Sequence, residues 1–387
     1  MFDNIWGKLR GSISDEAINT GRQPEMDLGR AIPVFCLPFV HTVIECTPIE
    51  HIYEPIPFFF NIIIGQPLGA PIFIFAMGAC ISYTKRKSNK ALMKRGLMLL
   101  IAGFVLNVLR FMVPYLIGYF MTGNADKYIT PLPYRVFGND ILQFAGLFFL
   151  LFGFLKHMKL KDMHILGVSA VMSVIGSLFR HLDFGIPALN IALGHIIGTQ
   201  DAAEFVMSDF PLMNWFFLPV TGYLFGKLLL RVNDKKTFYG IVSPLLFLLY
   251  VAFFIFEYVY GIGQNAVEPT LLASENCYYH ILWYDILGFA LFNVGVFGIY
   301  YYMMQVFPDF IKKFLVSLSR NITRVYVIHW FLVVMTTNVI LYLMRGTQEL
   351  PIGATLLLAT VIFLITYPAA LLWERLSNKA KQKRGEA

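Results

Sequence analysis

The chain has 387 residues, of which 57% are hydrophobic, 16% aromatic and only 14% charged, with a mean hydropathy of +0.63. That composition excludes both a soluble globular domain and a disordered chain. The formal charge of +7 does not point to nucleic acid, because the basic residues gather at the ends of apolar runs, as the positive-inside rule expects; the partner they imply is the lipid bilayer.

The first 29 residues lack a short apolar core followed by a small-residue cleavage site, so they read as a retained cytoplasmic cap rather than a signal peptide. Apolar runs then fall at about 30–47, 57–83, 96–122, 137–155, 164–180, 210–230, 238–262, 281–307, 321–344 and 352–374. Each is long enough to cross a bilayer with some tilt, and a helix is the element that pairs its own backbone groups in lipid. The expected fold is all-α, a polytopic transmembrane helix bundle of about ten crossings. Basic residues cluster in 85–95, 156–161, 227–236, 311–320 and the tail 374–384, whereas 122–135, 264–280 and 345–351 hold few. The first set belongs to the cytoplasm and the second to the outer side. Both termini are then cytoplasmic, in an integral protein of the plasma membrane. FGIPALNIALGHIIGTQ (184–200) is interrupted by Gly and Pro, and a crossing there would put the 227–236 cluster outside. It reads as a re-entrant or interfacial outer segment. The organisation is a cap (1–29), a transmembrane domain (30–374) and a basic cytoplasmic tail (375–387). Cys36, Cys46, Cys80 and Cys277 have no CxxC spacing and read as packing residues, with no metal motif.

Ionisable residues inside spans are costly, and each is either a functional group or a buried structural pair. In the first span, Arg30 and His41 lie eleven residues apart, which on a helix leaves them on one face, roughly 16 Å from each other. Asp27 precedes Arg30 by three and Glu45 follows His41 by four, so Asp27 can orient Arg30 and Glu45 can orient His41. With the N-terminus inside, an anionic cytosolic ligand docked at Arg30 would deliver a reactive end to His41, whose imidazole suits general-base work. An anchor and an interhelical hydrogen bonder are the plainer roles. LSRNITRVYVIHWF (318–331) repeats the theme: Arg320 and Arg324 are either interfacial anchors or, with His329, a second phosphate contact. Arg110, Glu257 and Asp285 also lie in or near spans, and His51 falls in the first outer loop. There is no phosphate-binding loop, GxGxxG, HExxH or GxSxG.

The spacing D-x-x-R-x10-H at Asp27, Arg30 and His41 resembles the first-helix signature shared by type-3 membrane acyltransferases and the bacterial branch of the heparan-alpha-glucosaminide N-acetyltransferase catalytic family. Four further stretches are similar and in the same order: 70–107, FGNDILQFAGLFFLLFG (137–153), SDFPLMNWFFLPVTGYLFGKLL (208–229) and LSRNITRVYVIHWFL. The order and the FPLxxW-type segment favour the glucosaminide branch. The resemblance implies transfer of an acyl group, usually acetyl, from cytosolic acyl-CoA to an acceptor reached from the other side, a glycan or lipid-linked sugar. Carried onto this chain, Arg30, Arg86 and Arg95 would hold CoA phosphates, and His41 would be the base or a transient acyl carrier. Some members place a histidine in the first outer loop, for which His51 is the counterpart; GQPLGAP (65–71) lacks the acidic residue relatives often carry before the proline.

Two other readings compete. A proton-coupled or small-solute transporter would use the same intramembrane charges but lacks an internal repeat. A non-catalytic scaffold leaves Asp27, Arg30, His41 and Glu45 on one face without a purpose. A homo-oligomer is compatible with any of these.

Overall fold

In a computed structural model of the chain, the residues described are 2–84, 88–180, 182–199, 208–260 and 279–383. Among them the regular elements are helices, accompanied by three isolated β-bridges. Six helices are long and apolar enough to cross a membrane: Pro24–Cys46, Asn89–Thr122, Lys235–Tyr260, Trp283–Val306, Ile322–Arg345 and the one beginning at Ile352. The shorter apolar helices Pro55–Ile64, Ala70–Tyr83, Ile141–His157 and Asp162–Leu178, with Phe217–Leu229, fall on the remaining apolar runs. The run 57–83, expected as one helix, is broken: Gly65 to Gly69 form a turn between Pro55–Ile64 and Ala70–Tyr83. The cause is local, since a Cβ on Gly69 would lie 2.2 Å from the Gly65 carbonyl oxygen, and Pro67 removes a helix donor.

The chain divides into two compact units. The first comprises 1–26, 71–105 and 137–306. One close helix crossing follows from glycine: a Cβ on Gly222 would sit 2.1 Å from the Phe75 carbonyl oxygen and one on Gly226 2.4 Å from that of Ala79. GYLFG is thus a GxxxG face on which helix Ala70–Tyr83 lies directly, the close approach lipid-embedded helices use in place of hydrophobic burial. At one end, Asp162 accepts from both Lys156 and Lys227, and Tyr223 Oη lies 3.4 Å from the same carboxylate. The N-terminal segment joins this end: Ile13 bridges Val232, the Asn19 amide donates to the Leu229 carbonyl at 3.0 Å, and Lys235 donates to Glu25 at 2.5 Å.

These contacts decide the ambiguous segment. Asp162 begins one apolar helix and Lys227 ends another, and their ion pair puts both ends on one face, so the chain between them crosses an even number of times. Asp162–Leu178 and the stretch ending at Leu229 are the two apolar runs between them, which leaves no odd crossing for 184–200. Its helix, Pro187–Gly194, has eight residues, about 12 Å against a core of about 30 Å, and Leu182 is bridged to Thr199. The segment leaves and returns on the same side.

The second unit comprises 27–70, 106–136 and 307–387. Its core is apolar and tightly closed: Val34, Val43, Val325, Val333, Val334 and Ala359 are at most 1% exposed. Aromatic rings tie helix Pro24–Cys46 to the last helix, with Phe35 and Phe363 edge to face at 4.9 Å. Pro33 and Pro38 are tolerated within a continuous helix.

Candidate active site

The second unit carries most of the polar residues that the sequence singles out. Helix Pro24–Cys46 begins at Pro24, a residue suited to the first helical turn because its missing N–H would go unpaired there in any case. Asp27 and Arg30 are therefore one turn apart, and Arg30 Nη2 donates to Asp27 Oδ1 at 2.8 Å. Ser319 Oγ donates to the same oxygen at 2.9 Å. The Asp27 side chain is 3% exposed and that of Arg30 28%, so a buried carboxylate steers a half-buried guanidinium.

His41 meets a second histidine. His41 Nδ1 lies 2.9 Å from His329 Nε2, the rings stacked with centroids 5.1 Å apart. His329 is fully buried, and its Nδ1 lies 3.0 Å from the Val325 carbonyl oxygen. A carbonyl only accepts, so His329 Nδ1 carries a hydrogen, and in the neutral ring its Nε2 is the acceptor. His41 Nδ1 is then the donor, and the free lone pair of His41 is on Nε2. Among the described residues no side chain or backbone group hydrogen-bonds that nitrogen, and His41 is half-buried.

Trp330 stacks on His41 with centroids 3.9 Å apart. The Arg110 guanidinium lies 4.7 Å from the Trp330 ring and 4.5 Å from that of Phe111. Arg110 is fully buried and donates from Nη2 to Asn107 Oδ1 at 3.0 Å, while the Asn107 amide donates to the Val136 carbonyl at 3.1 Å. Arg110 sits in a π-helical segment, Val108–Met112. Two more such segments, Phe59–Ile64 and Met335–Leu341, belong to the same unit. An extra residue in a helical turn redirects the side chains beyond it, and such bulges concentrate at functional sites.

Several expectations change. Glu45 does not orient His41: its carboxylate accepts from Asn338 Nδ2 at 3.2 Å, because the π-helical turn presents Asn338 to it while the His41 ring turns to His329. Both ring nitrogens of His329 are taken up within the protein, by His41 and the Val325 carbonyl. His51 is exposed and pairs with Glu54 at 2.7 Å, both side chains 52% exposed. Arg324 donates to Asn321 Oδ1 at 2.8 Å, Asn321 in turn donates to Glu374 at 3.0 Å, and Arg320 is exposed. Arg95, in the first unit, is exposed with its guanidinium 4.6 Å over the Phe149 ring. Arg86, like Cys277, lies outside the described residues.

Sequence reasoning missed Trp330 and Asn338 and left Arg110 between a structural pair and a substrate-binding role. The signal for Asn338 was there, a polar amide within the apolar run MTTNVIL; nothing local marks Trp330 beyond its place next to His329.

A family model described as an acyltransferase domain matches residues 23–372. Searches of the curated proteins and of the solved structures gave no match.

Proposed function

Since the chain belongs to the acyltransferase domain family of type-3 membrane acyltransferases, we propose that it moves an acyl group, acetyl in the simplest case, from cytosolic acyl-CoA to a hydroxyl or amine of a glycan on the outer side. The observation that carries this reading is the histidine pair, which leaves a lone pair on His41 Nε2 and a proton acceptor behind Nδ1. The acceptor's O–H or N–H gives its proton to His41 Nε2 while its heteroatom bonds to the acyl carbon. The tetrahedral centre collapses with loss of the C–S bond, and the departing thiolate takes the proton back from His41. His329 Nε2 accepts from His41 Nδ1–H throughout, holding the ring in the right tautomer and stabilising the imidazolium, the role a buried orienting partner plays for a catalytic histidine. The Arg110 guanidinium, stacked on the same indole, opposes the negative charge that develops on the acyl oxygen.

Arg30, held by Asp27, lies toward the other end of the same helix and is the first contact for CoA phosphate, with Arg320 and Arg324 as further basic groups. Arg86 and Arg95 receive that role from the family resemblance alone, and the glycan acceptor follows the likeness to the glucosaminide branch. The exposed, carboxylate-paired His51 is left out of the chemistry.

The test is incubation of purified protein with radiolabelled acetyl-CoA and a glycan panel. Label should appear in a glycan and disappear with His41→Ala. If no label is transferred, and acetyl-CoA neither binds nor raises the melting temperature, the reading fails.

A further inference from the structure

The stretch between helix Asn89–Thr122 and residue 137 folds into two short helices, Ala125–Tyr128 and Leu132–Phe137. It is pinned by Tyr128, which is fully buried and donates its hydroxyl to the Asn338 carbonyl at 2.9 Å. Asn338 also donates to Glu45. The stretch therefore sits at the Glu45 end of helix Pro24–Cys46, beyond His41 and away from Arg30.

Two cations stand on this ledge. Lys127 Nζ is 3.9 Å from the Tyr342 ring, and Arg135 Cζ is 5.7 Å from that of Phe111. Both are half-buried, and among the described residues neither side chain makes an ion pair or hydrogen bond; Arg135 Nε is enclosed with no partner. The carboxylate of the cluster, Glu45, acts on Lys127 through space but is held by Asn338 and is not ion-paired with either cation, and Asp126 is exposed. Partly desolvated cations without a direct ion pair are costly, and an outer loop is where a membrane protein has fewest reasons to keep them. The aromatic faces beneath them steady the cations but do not neutralise them.

From this arrangement, resting on the acyl-transfer reading above, we infer that the acceptor is anionic: a carboxylate or phosphate on the acceptor docks between Arg135 and Lys127, which sets the hydroxyl to be acylated against His41. Arg135 supplies the planar fork that a carboxylate or phosphate fits in two bonds, and Lys127 a point charge. Neutral sugars lack the group that the ledge is built to pair.

The experiment uses the full-length protein in neutral phosphatidylcholine nanodiscs, titrated with cellobiose, its 6-carboxylate and its 6-phosphate. Binding is read by melting temperature, and acetyl transfer from acetyl-CoA by mass spectrometry of the sugar. At least one charged sugar should bind about tenfold more tightly than cellobiose. Arg135→Gln should erase that preference, Arg135→Lys should keep part of it and Lys127→Gln should weaken it. The carboxylate and phosphate arms separate the two anion types. Charged and neutral sugars that are indistinguishable on the wild-type protein overturn the inference, as does a preference untouched by Arg135→Gln. An Arg135-dependent effect seen only when anionic phospholipid is added to the disc overturns it too, in favour of a lipid headgroup. Selective binding of the charged sugars, with no acetyl transferred and no CoA released, keeps the ledge and sinks the acyl-transfer reading instead; indistinguishable binding with transfer does the reverse.

Discussion

At the scale of single residues, the site rests on who holds whom. His41 is oriented by a second histidine, not by the carboxylate one turn away, and the consequence is measurable. His329→Phe removes the acceptor for His41 Nδ1–H while keeping an aromatic ring in a closed core. It should lower kcat roughly a hundredfold with little change in the KM for acyl-CoA. His41→Ala should cost more, on the order of 10²–10⁴-fold, and His51→Ala should leave transfer within about twofold of wild type, consistent with a surface pair worth little. Steady-state kinetics on the three variants separates these outcomes; loss of activity in His51→Ala would return that residue to the centre. Asp27→Asn keeps the shape but removes the charge that fixes Arg30, so the KM for acyl-CoA should rise, by about tenfold, more than kcat falls.

At the scale of elements, helices pack through small residues where lipid offers no hydrophobic gain. Gly222→Val puts a branched side chain against the Phe75 carbonyl and should destabilise the fold by about 1–3 kcal/mol, read from the denaturation midpoint in detergent. The Asp162 clamp gives an independent, pH-dependent check. Burial by itself pushes the Asp162 carboxyl up, but the hydrogen bonds and charges of Lys156 and Lys227 outweigh it and hold the group below the usual carboxylate range. A depressed folded-state pKa means stability that is present above the unfolded value and is lost as the pH falls through the folded one. Asp162→Asn should therefore cost on the order of 1 kcal/mol near neutrality. The gap between the two melting curves should close as the pH drops below about 4, and a gap that stays constant from pH 7 to 3 would show that the clamp is not electrostatic.

At the scale of the whole molecule, the sidedness implied by the basic loops yields a labelling pattern. In a Cys277→Ser background, Asp126→Cys should react with a membrane-impermeant maleimide in intact cells, and Lys161→Cys only after permeabilisation. The opposite pattern would invert the direction proposed for acyl transfer. Much of the architecture was legible beforehand because hydropathy is a local quantity: among the described residues each apolar run carries helix, the run 57–83 in two pieces, and the Asp27–Arg30 pair follows from a spacing within one turn. The break at Gly65 to Gly69 was legible only as residue types, not as a turn.

By itself the sequence determined the helical class, the basic ends of the spans and the positions of the intramembrane charges, since each depends on a few neighbouring residues and their cost in lipid. Tertiary structure alone decided which of those groups meet. The partner of His41 is 288 residues away and that of Glu45 is 293 away. A helix presents an i+4 neighbour and a distant helix to the same ring, and only packing chooses between them. The ledge of Lys127 and Arg135 was hidden for the same reason: the lack of a direct ion pair is a property of the surroundings, which no spacing along the chain encodes.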